Sequence, residues 1–289
     1  MRHLVLLLVM FTAPLLAKAA PVSVIDSVGN RITLNAPAKR IVSLAPHTTE
    51  LLFSAGAGDR LVATVDYSDF PAAAKNLPRI GGYSKFDLEA VLARRPDLIV
   101  GWKSGNSAAA LEKLQRLGIP VFLSEPQHLD AIADEIDALA VLAGTTPLAS
   151  PVTKAWRKRL DDLRRRYRNA SAVSVFYEVW NQPLMTVNGR HLISEAITLC
   201  GGRNVFAQLP SLAPQVSVEA VLAADPQVII ASGMGEEHPE WLDDWRRWPG
   251  LHAVKGNHLY FIPPDLLQRN TLRLLDGTER MCEAIERAR

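Results

Sequence analysis

The chain reads as an α/β protein of two similar lobes with mostly parallel sheets, joined by one long helix, with a ligand cleft between the lobes. Three observations predict this. First, Leu88-Glu89-Ala90-Val91-Leu92-Ala93-Arg94-Arg95-Pro96-Asp97-Leu98-Ile99-Val100 recurs as Val218-Glu219-Ala220-Val221-Leu222-Ala223-Ala224-Asp225-Pro226-Gln227-Val228-Ile229-Ile230, 130 residues on, with seven of thirteen positions identical. That offset is far beyond the roughly 20–50-residue unit of a solenoid, and two similar lobes make a cleft of the kind that binds small ligands. Second, short apolar runs alternate with helical spacing in both halves, as in a parallel sheet covered on both faces. Third, Trp156, Leu160, Leu163 and Tyr167 put one apolar stripe on a helix from Pro147 to about Arg168. Arg157, Lys158, Arg164, Arg165 and Arg168 turn mostly away from that stripe, and Asp161 and Asp162 interrupt the basic run, so it reads as a solvated face of a bridging helix rather than a nucleic-acid surface.

The elements follow in order. Val22 to Thr33 is a hairpin turning at Asp26-Ser27-Val28-Gly29-Asn30. Arg40–Leu44 is a short strand followed by helical spacing through Thr49-Glu50-Leu51-Leu52-Phe53, and Leu61–Val65 is a second strand. Asp87–Ala93 is a helix, Leu98–Val100 a strand, Ala108–Leu117 a helix closed by Gly118, and Val121–Leu123 a strand. The second half begins with strand Val173–Tyr177 and continues with helix Ile193–Leu199, helix Glu219–Ala224, strand Val228–Ile230 and strand Leu259–Phe261. A loop at Pro263-Pro264 and a helix from about Thr271 close the chain. The expected division is a leader over 1–19, an N-terminal lobe over 20–146, a linking helix over 147–169 and a C-terminal lobe over 170–289.

The leader is a secretory signal: Arg2, an apolar stretch from Leu4 to Leu16, and Ala17-Lys18-Ala19 as the small-x-small cleavage site. The apolar stretch is shorter than the ~20 residues of a membrane span, and no cysteine lies near the cleavage site to carry a lipid, so an exported soluble protein is expected. Arg2 and Lys18 leave with the leader, so the 32 basic residues lose two and balance the 30 acidic ones. A neutral chain offers no electrostatic case for nucleic acid or an anionic membrane. The two cysteines, Cys200 and Cys282, favour one disulfide in an oxidising compartment over two buried thiols.

Ligands of parallel α/β sheets meet residues just beyond the carboxyl ends of the strands. Those positions here are aromatic or polar: Asp66-Tyr67, Trp102, Trp180-Asn181, and Asp265 with Arg269, while Tyr83 lies in the loop before the first copy of the repeated helix. Each ring alone would be ordinary core, but several on one face suit a bulky, partly apolar ligand. Glu89 and Glu219 sit two residues after the helix caps Asp87 and Ser217, where they stabilise the helix dipole or, as a matched pair of surface carboxylates, grip a partner's cations. Enzyme signatures are missing: there is no G-x-S-x-G, no P-loop and no H-E-x-x-H. Outside the leader the histidines (His47, His128, His191, His238, His252 and His258) are scattered without ligand spacing, so no metal centre is expected.

Arg40-Ile41-Val42-Ser43-Leu44-Ala45-Pro46 with Thr49-Glu50-Leu51, Pro96-Asp97-Leu98-Ile99 and the Leu-Gly-Ile-Pro-Val run at 117–121 resemble the periplasmic binding proteins for cobalamin and siderophores that serve ABC importers. Four further stretches look closest to the cobalamin-binding branch: Asp66-Tyr67-Ser68-Asp69-Phe70-Pro71, Val100-Gly101-Trp102-Lys103-Ser104-Gly105-Asn106, Leu199-Cys200-Gly201-Gly202-Arg203-Asn204-Val205-Phe206 and Pro214-Gln215-Val216-Ser217. The resemblance implies that Tyr67, Tyr83 and Trp102 line the pocket from one lobe and the loop Asp265-Leu266-Leu267-Gln268-Arg269 from the other. It implies that Cys200 and Cys282 form the disulfide and that Glu89 and Glu219 dock on the permease dimer. Tyr83 and Ala213 stand where the branch has tryptophans, Leu266 and Leu267 replace aromatic residues between Asp265 and Arg269, and Trp180 can restore ring surface. The implied function is a monomeric periplasmic carrier that delivers cobalamin to an inner-membrane ABC transporter, with no cofactor and no catalysis. The rivals are a ferric-siderophore or haem carrier, which would call for more cleft cations than Arg269, Arg190 and Lys103, and an exported enzyme using Asp265 or His258.

Overall fold

The computed structural model describes residues 20–233 and 240–289. The expected leader and His238 lie outside the described residues. The chain starts as the hairpin β1 (Val22–Ile25) and β2 (Arg31–Leu34). Its turn uses Gly29 at φ 87°, and the Asp26 carboxylate accepts from Val28 N (3.1 Å) and Asn30 N (2.7 Å). Then come β3 (Ile41–Ser43), α1 (Pro46–Ser54), β4 (Leu61–Ala63), α2 (Leu88–Ala93), β5 (Leu98–Trp102), α3 (Ala108–Arg116) and β6 (Val121–Ser124). The four strands from β3 form one parallel sheet in the order β4-β3-β5-β6.

The sequence assigned nothing between Leu123 and Pro147, and here the structure adds a 15-residue helix, α4 (Leu129–Ala143). Its signal was present: Leu129, Ile132, Ile136, Leu139 and Ala143 recur at alternating steps of three and four and are all fully buried. Helix α5 (Thr146–Tyr167) follows. The second lobe runs β7 (Val173–Glu178), β8 (Trp180–Asn181), β9 (Leu184–Met185), α6 (Leu192–Leu199), β10 (Gly202–Asn204), α7 (Val218–Ala224), β11 (Val228–Ala231), α8 (His252–Lys255), β12 (Leu259–Phe261), α9 (Pro264–Leu267) and α10 (Leu274–Glu286). Its main sheet is also parallel, in the order β10-β7-β11-β12. Counted within each sheet, both run second, first, third, fourth strand. The repeated sequence is the helix that leads into the third strand each time.

Strands this apolar are buried on both faces, and successive side chains go to different cores. Ile41, Leu98, Val100 and Phe122 of one sheet and Val173, Val175, Tyr177, Val228 and Ile230 of the other belong to a single core that passes through α4, α5 and α6. Val42, Ile99, Val121 and Leu123 face a core private to the first lobe, and Phe176 and Ile229 one private to the second. Trp156, Leu160, Leu163 and Tyr167 of α5 are buried in the shared core, as their stripe requires.

The basic face of α5 departs from expectation in part. Lys158 and Arg165 are exposed and pair with Asp162 of the same helix. Arg157, however, reaches Asp134 (2.6 Å) and Asp137 (2.8 Å), and Arg164 reaches Asp130 (2.5 Å) and Glu195 (3.7 Å). Those acids lie mostly on α4, whose polar side faces the same groove. On the other flank Arg159 meets Asp276 (2.8 Å) and Glu279 (2.9 Å) of α10. Cys200 and Cys282, both fully buried, form a disulfide that ties the end of α6 to α10 across 82 residues of sequence.

Candidate functional site

In each sheet the strand order turns between the first and third strands, and ligands gather past the carboxyl ends at such points. In the first lobe β5 ends on Trp102. Its ring lies 5.5 Å from that of Tyr83, and His47 of α1 meets it edge-on at 5.2 Å. Asn106 locks this group from behind: its Oδ1 accepts from Trp102 N (2.6 Å), and its Nδ2 donates to Tyr83 O (2.7 Å) and Leu44 O (2.9 Å). Gly105 leaves room for the indole, since a Cβ there would stand 1.9 Å from Trp102 Cε3 and force the ring to shift. Ser124 Oγ donates to Glu135 (2.6 Å), so in its 3.2 Å contact with His47 Nε2 the imidazole is the donor. Burial, helped by the charge of Arg269, holds His47 down to about 3, so the ring is neutral.

Beside this wall the segment after β4 is anchored by a chain of fully buried hydroxyls. Ser43 meets Thr48 (2.7 Å) and Thr49 (2.8 Å), Thr49 meets Thr64 (2.6 Å), and Thr64 donates to Ser68 (2.8 Å). These bonds hold a turn in which Tyr67 sits at φ 61° with 75% of its surface exposed. A large aromatic residue in the left-handed region, ring in solvent, is strain that the surrounding bonds must enforce.

The second lobe brings α9 and the residues after it. Asp265 and Arg269 pair with each other at 3.1 Å, one helical turn apart. Arg269 also crosses to the first lobe, reaching Glu50 (3.0 Å) and Asp69 (2.7 Å), so it is not a free donor waiting in the cleft. Burial raises the Asp69 carboxyl, but the hydrogen bond and charge of Arg269 outweigh it and hold the group below its usual range. Arg273 adds two bonds to Glu50 and lies 4.2 Å over the Phe70 ring. Leu266 and Gln268 are half-buried, and the Gln268 amide donates to Ser232 O. Leu267 departs from expectation. It is 1% exposed in the shared core, where it seats α9, and cannot face a ligand. Trp180 is half-exposed in the β8–β9 hairpin and donates to Gln182 O (2.9 Å).

Glu89 and Glu219 are exposed in the first turns of α2 and α7. Asp87 accepts from Glu89 N and Ala90 N, and Ser217 from Ala220 N, while Val91 and Val221 anchor the two helices from beneath. Hydrogen bonds from its own backbone and from Ser217 lower the Glu219 carboxyl. For the enzyme alternative, His258 Nδ1 lies 3.2 Å from the Tyr260 hydroxyl and Asp265 is paired with Arg269. Among the described residues no group of three or more His, Cys, Asp or Glu is placed to hold a metal ion.

His47, Glu50, Asp69, Asn106 and Arg273 were not picked out by the sequence. Asn106 had a faint signal, a glycine and a short amide just past an aromatic strand end. Glu50 stood in the quoted Thr49-Glu50-Leu51 motif with no role assigned, since a charge within an apolar helical pattern gives no hint of partners 219 and 223 residues away.

Comparison with known proteins agrees over most of the chain. Residues 41–266 match the family described as "Periplasmic binding protein". A vitamin B12-binding protein of Vibrio campbellii is 36% identical over 255 residues, 88% of this chain and 92% of that protein. The crystal structure of the periplasmic vitamin B12 binding protein of Vibrio cholerae superposes with a TM-score of 0.80 at 38% identity, covering 87% of this chain and 98% of that one. A periplasmic heme-binding protein from Roseiflexus gives a TM-score of 0.75 at 21% identity over 87% and 100% of the two chains, a likeness of fold alone.

Proposed function

The chain belongs to the periplasmic binding protein family, and from that premise we propose that it captures cobalamin between its lobes and delivers it to an inner-membrane ABC importer. The observation that carries this reading is the aromatic wall of Trp102 and Tyr83, whose backbones Asn106 ties together, with the exposed Tyr67 in the neighbouring segment. Broad rings on a backbone held in place suit a large disc with a mostly uncharged rim, and a backbone already ordered loses little entropy on binding. In this reading Tyr67, Tyr83, Trp102 and Trp180 supply apolar faces. Leu266 and Gln268 complete the far wall, while Asp265 accepts from amide N–H groups and Arg269 donates to an amide carbonyl or the phosphate. Glu89 and Glu219 present one carboxylate per lobe to the permease dimer.

The protein would work as a monomer in the periplasm once residues 1–19 are removed. Residues 20–146 and 170–289 would act as lobes about the 147–169 helix, and the ligand would be held and released unchanged. The core continuous through both lobes favours small closure over wide hinging.

Titration with cyanocobalamin, followed by calorimetry and tryptophan emission, tests the assignment. One-to-one binding with strong quenching is expected, because Trp102 would lie against a corrin that absorbs its emission. No heat and no quenching with micromolar cyanocobalamin, together with saturation by haem or a ferric siderophore, would replace the ligand while leaving the carrier class.

A further inference from the structure

The two lobes are joined at the cleft by a set of charges that neither lobe could assemble alone. Glu50 in α1 has a side chain only 3% exposed, and guanidinium groups of the other lobe occupy both of its oxygens. Oε1 takes Arg269 Nη1 (3.0 Å) and Arg273 Nη2 (2.6 Å), and Oε2 takes Arg273 Nε (2.9 Å). Arg273 thus grips the carboxylate with two donors, which fixes plane as well as distance. Arg269 Nη1 is shared with Asp69, whose side chain is 47% exposed, and Arg269 Nη2 lies 3.1 Å from Asp265. The two carboxylates competing for one nitrogen are therefore unequal. The buried one is expensive to unpair, whereas the exposed one is screened by water and salt and easily replaced.

We propose that Glu50 is the positioning residue of the cleft, setting both the spacing of the lobes and the aim of the Asp265–Arg269 segment, and that Asp69 is the exchangeable partner that yields Arg269 to an oxygen acceptor of the ligand. This rests on the ligand reading above for its second half only. The lobe-spacing role concerns the empty protein. An arginine already turned toward the cleft and held by one buried carboxylate does not have to be ordered by the ligand. Loss of Asp69 removes a competitor for that donor and a repulsive charge beside any phosphate.

The test compares mature wild type, Glu50→Gln, Arg273→Lys and Asp69→Asn by cyanocobalamin calorimetry and by small-angle scattering of the ligand-free forms. Glu50→Gln and Arg273→Lys should weaken binding about tenfold, and Glu50→Gln should enlarge the ligand-free radius of gyration. Asp69→Asn should tighten binding by about three- to tenfold, a sign that a merely structural contact cannot produce. Wild-type affinity in Glu50→Gln, or weaker binding in Asp69→Asn, would overturn the proposal. If Glu50→Gln does not fold, Asp69→Asn and Arg273→Lys decide it. If wild type ignores cyanocobalamin, the ligand reading falls, and an unchanged radius in Glu50→Gln or, failing that, Arg273→Lys would remove the clasp independently.

Discussion

Replacing Gly105 with alanine adds one methyl group against the face of the cleft's main ring. The new Cβ would stand 1.9, 2.3 and 2.4 Å from Trp102 Cε3, Cδ2 and Cζ3. Carbon atoms settle at about 3.5–4.0 Å, so the indole must retreat by about 1.5–2 Å. Gly105 is outside the left-handed region, so alanine meets no left-handed φ penalty and the clash with the ring dominates. The indole cannot retreat without losing neighbours, because His47 meets it at 5.2 Å and Tyr83 at 5.5 Å. Each ring pair contributes about 0.5–1.5 kcal/mol, so about 1–3 kcal/mol is at risk, or about 5- to 150-fold in affinity if all of it is expressed in binding. Near-ultraviolet circular dichroism should report the moved indole, calorimetry the weaker binding of cyanocobalamin, and urea unfolding a loss no larger than the same sum. An unchanged near-ultraviolet spectrum together with wild-type affinity would refute the reasoning, since the methyl group would then have found room that the packing denies it.

Three further outcomes are expected. Reducing the Cys200–Cys282 bridge, which spans 82 residues, should lower stability by about 4–5 kcal/mol in the chain-entropy picture, and equal urea midpoints for oxidised and reduced protein would contradict it. Glu89→Ala with Glu219→Ala should impair uptake through the importer with ligand affinity nearly unchanged, and reversal to lysine should be worse through added repulsion; a double variant that binds poorly but delivers normally would remove the docking role. Burial pushes the Glu178 carboxyl up to about 8, with Trp245 Nε1 donating to it at 2.7 Å. As pH rises from about 4.5 toward 8 the unfolded chain loses this proton while the folded protein keeps it, so the contribution of Glu178 to stability should fall by at most about 1.4 kcal/mol per pH unit. Glu178→Gln should flatten that decline in urea midpoints between pH 5.5 and 8, and an identical slope in both proteins would show that Glu178 does not carry it.

Whatever is written in local spacing was legible without coordinates. The repeat at 88–100 and 218–230 marks the helix and third strand of each lobe, the hairpin turns where Gly29 permits it, and the stripe of α5 is buried as spaced. Helix α4 was equally legible, since its apolar residues step by three and four like those of α5. The rings at strand ends were legible too, because parallel strands carry whatever follows them to one edge of the sheet.

Long-range partners were not. The basic face of α5 reads as solvated until α4 and α10 place carboxylates against it. Leu267 and Arg269 belong to one short segment, yet one faces the core and the other crosses the cleft, which only the seating of α9 decides. Glu50 shows the difference most sharply. Helical periodicity buries its position but says nothing of what compensates the charge. The sequence by itself determined two lobes of one topology with aromatic residues at the mouth of each sheet, because periodicity and turn chemistry act over a few residues. The tertiary structure alone decided that a buried carboxylate of one lobe holds two arginines of the other, because charge pairing depends on distance in space, and the partners are 219 and 223 residues apart along the chain.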